Sequence, residues 1–317
     1  MNAWKTEVLL PCDCGKKHGK ITVCRLREKL IVLLIDIRSR YIPEILLPEE
    51  KRDYQSKTIY MNYCFQGRCE LQLHNGEATF LNGGEFALDS GNAVQENQKF
   101  FYPLSHYEGI EICMHPEALP KDFDCRETAG TLLHICDELG RPYFASNNDK
   151  IQSLMSTIRE DIISDGPREL LMLDIFRLLI LANQLPFDKE ERRTYFTPAQ
   201  VEIAKKTMEL LTSDLSRRTS AAVMAENFGV SETSLKNYFR AVYGQPYGEC
   251  LNELRMDKAA KLLEDGTMKV AEIAAAVGYS SQSRFAKAFR EIYGIPPLEY
   301  RRRAKLQQGI NGETEEK

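Results

Sequence analysis

The sequence predicts an α+β chain of several domains: a β-rich barrel or sandwich, then a helical connector, then an all-α C-terminal third built from two helix-turn-helix units. Alternating apolar residues punctuated by turn signals fill residues 1–125. After Cys125 the apolar period becomes helical. In the last third a pattern of about twenty residues occurs twice, about fifty residues apart.

The strands come first. Leu30 to Ile37 is rich in Ile, Val and Leu. Cys69 to His74 alternates, Asn75-Gly76 follows, and Ala78 to Leu81 is apolar again. Asn-Gly between two such runs predicts a hairpin with a type I′ turn, since both residues tolerate positive φ. Asn82-Gly83-Gly84 and Ser90-Gly91-Asn92 supply further turns, and Ile110, Ile112 and Met114 alternate. Many short strands between turns suggest a small barrel or sandwich.

Residues 126–186 read as helical. Ile151, Leu154, Met155, Ile158 and Ile162 fall on one helical face, and Asp165-Gly166-Pro167 breaks that helix. The next helix, Arg168 to Leu185, is apolar on most sides, as befits a helix that is deeply buried or shared with a partner subunit. A homodimer pairing this helix across a two-fold axis is expected. Pro186 ends it, and the charged residues 187–197 read as a linker. The C-terminal domain, 198–306, opens at Thr197-Pro198, an N-cap followed by Pro in the first turn. Its first apolar face is Val201, Ala204, Met208, Leu211 and Leu215, and the residues after Leu306 are polar and expected to fray.

Composition narrows the function classes. The 317 residues are 43% hydrophobic and 28% charged, which favours packed domains over disorder. Met1 to Leu10 carries Lys5 and Glu7 and has no long apolar run, so no signal peptide is expected. Leu170 to Leu185 is interrupted by Asp174, Arg177 and Asn183 and is too short to span a bilayer comfortably. No membrane partner and a cytoplasmic location are expected. Nine cysteines, an odd number, fit reduced thiols. Residues 197–306 carry 17 Lys/Arg against 13 Asp/Glu, leaving 25 against 33 elsewhere. A mildly basic region beside an acidic one suits a nucleic-acid-binding module joined to another domain.

The repeat is the sharpest signal. Phe239-Arg240-Ala241-Val242-Tyr243-Gly244-Gln245-Pro246 matches Phe289-Arg290-Glu291-Ile292-Tyr293-Gly294-Ile295-Pro296. Upstream, Ala225 to Ser231 matches Ala274 to Ser280, with one extra residue between Ser280 and Phe285. Each copy spells helix, turn, helix. Ala225 or Ala274 lets the helices approach, Gly229 or Gly278 supplies the left-handed turn, and Ser231 or Ser280 caps the second helix. Leu235 with Phe239, and Phe285 with Phe289, face inward at i, i+4. That leaves the second helix of each copy exposed for a DNA major groove. A helix from about Pro246 to Asp265, with Leu251, Leu254, Met256, Ala259, Leu262 and Leu263 as its apolar face, links the copies and fixes their spacing.

From about Ser220 to Arg303 the chain closely resembles the AraC/XylS family of regulators. Leu254-Arg255-Met256, Ala259, Ile273-Ala274, Val277-Gly278-Tyr279, Ser283 and Pro296-Pro297-Leu298-Glu299-Tyr300-Arg301 carry the resemblance. It implies a sequence-specific regulator of transcription that binds double-stranded DNA, more an activator than a repressor, with RNA polymerase as a partner. It also implies that Thr233, Lys236 and Asn237 of the first recognition helix meet bases, and that Gln282, Arg284 and Lys287 occupy the matching face of the second. Ser231, Arg240, Ser280 and Arg290 sit where phosphate contacts are expected. In many members a cupin-like barrel binds a small-molecule effector and following helices dimerise; the strand-then-helix order here agrees.

No cofactor and no enzyme activity are expected. A metal-dependent cupin enzyme needs a His-x-His pair, whereas His74, His106, His115 and His134 are scattered. Cys12, Cys14, His18 and Cys24 have ligand types for tetrahedral zinc, but their Cys-x-Cys spacing is shorter than the usual zinc pair. Gly15 and Gly19 make a simple strand turn the preferred reading. Cys64, Cys69, Cys113 and Cys136 are expected to pack as small apolar residues. Tyr60, Tyr63, Phe65, Phe86, Phe100 and Tyr102 could line an effector pocket or equally form core, so no effector residue is assigned. Two rivals remain: an enzyme, such as a DNA-repair protein with an alkyl-accepting Cys, carrying an appended DNA-binding module, and a purely architectural DNA binder. The lack of closely spaced Cys pairs argues against the first, and the long region preceding the repeat against the second.

Overall fold

The computed structural model describes residues 4–10, 19–41, 57–91, 100–122, 124–187, 193–217 and 220–314, with side chains to residue 306. Two compact units result, Met1–Pro198 and Ala199–Lys317.

The first unit holds strands β1 (Lys5–Leu10), β2 (Gly19–Arg27), β3 (Leu30–Ile37), β4 (Ile59–Gln72), β5 (Ala78–Asn82), β6 (Glu85–Ser90), β7 (Tyr107–Met114) and β8 (Tyr143–Ser146). They form one antiparallel sheet in the order β1-β2-β3-β7-β4-β6-β8, with β5 paired to the later half of β4. Helices α1 (Asp124–Leu139), α2 (Asp149–Ile163) and α3 (Arg168–Ala182) complete the unit.

Both faces of the sheet are packed, which is why β3 is apolar almost throughout rather than alternating. Toward the helices point Leu30, Val32 and Leu34 of β3 and Ile110, Ile112 and Met114 of β7, against Ile151, Leu154, Met155, Ile158 and Ile162 of α2. The opposite face gathers Ile31, Leu33 and Ile35 with Cys64, Cys113, Tyr102 and Tyr107. Residues 126–186, expected as a region of their own after a boundary at 125, therefore share a core with the strands, and β8 lies within them. The candidate aromatic lining is divided by the sheet. Tyr63, Phe65 and Phe86 belong to the helix side, and Tyr60, Phe100 and Tyr102 to the other, so the six cannot line one pocket.

Two local expectations change. The Asn75-Gly76 turn is not type I′: only Gly76 has positive φ, at 82°. Gly76 N–H donates to Leu73 O at 2.9 Å and Leu73 N–H to Glu77 O at 2.7 Å, a tight turn followed by a left-handed glycine. Asn75 Oδ1 accepts from Glu77 N–H at 3.0 Å, which holds Asn75 out of the second left-handed position. The end of the expected linker 187–197 is also ordered on the sheet. The Arg193 guanidinium forks onto Glu85 at 2.7 and 3.1 Å and lies 3.5 Å over the Phe144 ring. Phe196 and Ala78 exchange backbone hydrogen bonds of 2.8 and 2.9 Å.

α3 starts at Arg168 as expected but stops at Ala182, because the chain leaves the helix at Asn183 before the pre-proline Leu185. It buries Leu171, Ile175, Leu178, Leu179 and Ala182 and exposes Leu170, Leu173 and Ile180. No helix among the described residues is long and apolar enough to cross a membrane.

The second unit is all helical: α4 (Pro198–Ser213), α5 (Ala221–Asn227), α6 (Glu232–Tyr243), α7 (Tyr247–Asp265), α8 (Val270–Ala276), α9 (Gln282–Tyr293) and α10 (Pro297–Thr314). Val201, Ala204, Met208 and Leu211 are the buried face of α4. Met256, Ala259, Ala260 and Leu263 of α7 meet Ile273, Ala274, Phe285 and Phe289 of α8 and α9.

Candidate nucleic-acid interface

Both copies of the repeat fold as helix, turn, helix: α5 with α6, and α8 with α9. In the first, Ala225 is buried in α5, Gly229 turns at φ 64°, and Ser231 caps α6 by accepting from Ser234 N–H at 3.1 Å. Leu235 and Phe239 are fully buried, so the helix presents Glu232, Thr233, Lys236, Asn237 and Arg240 to solvent. The same periodicity buries Phe285 and Phe289 in α9 and exposes Gln282, Ser283, Arg284, Lys287 and Arg290.

The cap of α9 corrects the sequence reading. Ser281, not Ser280, is the N-cap, its Oγ accepting from Arg284 N–H at 3.5 Å. Ser280 is exposed in the turn one residue earlier. Two adjacent serines offered the same capping chemistry, and the extra residue of the second copy is taken up before the helix starts. Aligned by their caps, Glu232 corresponds to Gln282, Thr233 to Ser283, Lys236 to Ala286, Asn237 to Lys287 and Arg240 to Arg290. Lys236 and Arg284 therefore do not occupy corresponding positions. Glu232 and Ser283 were missed as members of this face; counting from the cap would have found them.

α7 holds the second copy in place. Tyr279 Oη donates to Asn252 Oδ1 at 2.6 Å, Tyr293 Oη to Asp257 Oδ1 at 2.9 Å and Tyr300 Oη to Glu264 Oε1 at 2.8 Å. Burial, reinforced by the Glu264 carboxylate, pushes the Tyr300 hydroxyl up to about 12, so it stays a donor. Arg255 of the same helix donates to Leu215 O at 3.1 Å and Arg217 O at 2.8 Å. Gly278, at φ 81°, lies against this tie: a Cβ there would meet Arg255 Nη2 at 2.7 Å and Leu215 O at 2.8 Å.

Charge on the two exposed faces differs. Lys236 pairs with Glu232 at 2.5 Å, whereas Lys287 is only loosely paired with Glu291 at 4.0 Å. Arg284 adds a second cation near the start of α9.

A family model described as a helix-turn-helix domain matches residues 224–303. The transcriptional activator AarP of Providencia stuartii is 32% identical over 119 residues, 38% of this chain and 86% of AarP. The thermoregulatory protein LcrF of Yersinia pestis is 30% identical over 250 residues, covering 72% of this chain and 87% of LcrF. The chain belongs to the AraC family of transcription regulators. Against several other relatives it spans only about a third to a half of their length. Among solved structures, the C-terminal domain of AraT from Geobacillus stearothermophilus is similar at 31% identity and a TM-score of 0.31, over 32% of this chain and 84% of that one. AarP and the transcriptional activator AggR of Escherichia coli regulate transcription, which disfavours the repair-enzyme alternative.

Among the described residues, the remaining sequence candidates do not converge on a site. Cys12, Cys14 and His18 lie outside the described residues. Cys24 is buried in the core between sheet and helices, and that burial pushes its thiol up to about 12. His115 caps a short 3-10 turn by accepting from Glu117 N–H at 3.1 Å, and His134 lies beside Glu138 at 3.3 Å on an exposed helix face.

Proposed function

We propose that this AraC-family chain activates transcription by placing α6 and α9 in successive major grooves of its operator, about 34 Å apart along one face of the duplex. The observation that carries this reading is the pair of capped helices whose exposed residues begin at the N-terminus, held by one linking helix. Thr233, Lys236, Asn237, Gln282, Arg284 and Lys287 read base edges in this scheme. Ser231, Ser280, Arg240 and Arg290 contact phosphates. The first unit, with its cupin-like order of strands then helices, receives a small-molecule effector. The exposed leucines of α3 pair with a second copy, and the DNA-bound dimer engages RNA polymerase in the cytoplasm.

The test is selection of bound sites from genomic fragments with the full chain, followed by binding across a salt series. A recurring sequence, bound with a steep salt dependence from counterion release, is expected. Binding that discriminates no sequence from any other would overturn the proposal.

A further inference from the structure

The two recognition helices differ chemically at corresponding positions. One turn of α6 carries a carboxylate at its first residue, Glu232, and an ammonium four residues on, Lys236, joined at 2.5 Å. α9 has Gln282 and Ala286 there, so it has no counterpart of the pair. Both α6 side chains are about half exposed and share a helix face with Thr233 and Asn237.

An acid at the groove-facing start of a DNA-reading helix is costly unless it is used, because the duplex is a dense line of negative phosphates. A C·G edge offers a use for both members through the pairing each side chain prefers, whereas the adenine edge suits Asn or Gln better. Cytosine presents the N4 amino group, a donor, and its guanine partner presents O6 and N7, both acceptors. A carboxylate accepts at several lone pairs and an ammonium has three donors, so the intramolecular contact leaves each with capacity for a base. The ion pair also holds the two ends at a fixed separation before DNA arrives, so less side-chain freedom is lost on docking.

We infer that Glu232 and Lys236 act together as a reader of a C·G pair, with Glu232 accepting from cytosine N4 and Lys236 donating to guanine O6 or N7. Glu232 thereby becomes a specificity-determining residue of the first recognition helix. This rests on the major-groove placement of α6 proposed above.

Random-duplex selection with the full chain and with its Glu232→Gln and Lys236→Met variants tests it. The wild type is expected to fix one C·G pair in the half-site opposite α6. Glu232→Gln should relax that position alone, by about tenfold or more in C·G preference, and Gln admits adenine there. Lys236→Met should weaken the same position. If Glu232→Gln raises affinity for every duplex equally and leaves the selected sequence unchanged, the acid is only a repelling charge and the inference is wrong. If the wild type selects nothing, the proposed function itself has failed; the two failures are read from different proteins.

Discussion

Tyr279 Oη donates to Asn252 Oδ1 across 2.6 Å, tying the turn of the second helix-turn-helix to the N-terminal third of the linking helix. Tyr279→Phe keeps the ring against Phe285 and removes only this bond. Chemical denaturation of the full chain should show the second unit less stable by about 1 kcal/mol, the usual net value of one such bond. No change in that transition would mean that the α7 contact contributes nothing.

The two turn glycines should respond unequally to alanine. Gly229 has left-handed φ but open space around its Cβ position, so Gly229→Ala should cost about 1–2 kcal/mol from backbone strain. Gly278→Ala adds a clash with Leu215 O, a backbone atom that cannot swing aside, and with the Arg255 guanidinium. Its melting transition should fall further than that of Gly229→Ala. Equal losses would show that the Arg255 tie yields freely.

Arg284 and Arg290 separate base reading from phosphate contact. Arg284 sits at the third position of α9, and only its backbone N–H is used by the Ser281 cap. Arg284→Ala should cost about 1–3 kcal/mol at the preferred operator and relax sequence choice. Arg290→Ala should weaken specific and scrambled duplexes alike and reduce the salt slope by about one unit. Equal losses on both duplexes for Arg284→Ala would remove α9 from the groove.

Self-association should reside in α3. Leu173 is 61% exposed, with Leu170 and Ile180 on the same stripe at 48% and 47%. Leu173→Glu should convert a dimer to a monomer in sedimentation at micromolar concentration, with its circular dichroism retained, since the side chain has little packing to lose within one chain. A wild-type chain that sediments as a monomer would assign these leucines no partner.

The repeat was legible because its signals are local: small residues at close approaches, a glycine where φ is positive, and aromatic residues at helical spacing. The cap of α9 escaped for an equally local reason, since Ser280 and Ser281 differ only in backbone geometry. In the first unit the strands and the helical character after Cys125 were readable, but α1 received no bounds of its own, since it buries only Ala129, Leu132 and Cys136. β8 is four residues long and shows no period. Arg193 looked like one more solvated charge in a linker because Glu85 and Phe144, its partners, are far away in sequence. Ser283 needed the register that the observed cap of α9 supplied, whereas Glu232 follows directly from the Ser231 cap that the sequence already showed.

The buried cysteines have a kinetic consequence. Cys24, Cys64, Cys69, Cys113 and Cys136 are enclosed in the first unit, and Cys250 is the one cysteine described in the second. Burial raises the thiols of Cys24, Cys64 and Cys136 to about 12, so alkylating reagents meet few thiolates while the fold is closed. Modification of each then waits for an opening event. Peptide mapping of an alkylation time course would thus give each unit its own clock, with Cys250 timing the helical unit and the buried cysteines of the first unit the other, and with no cysteine engineered.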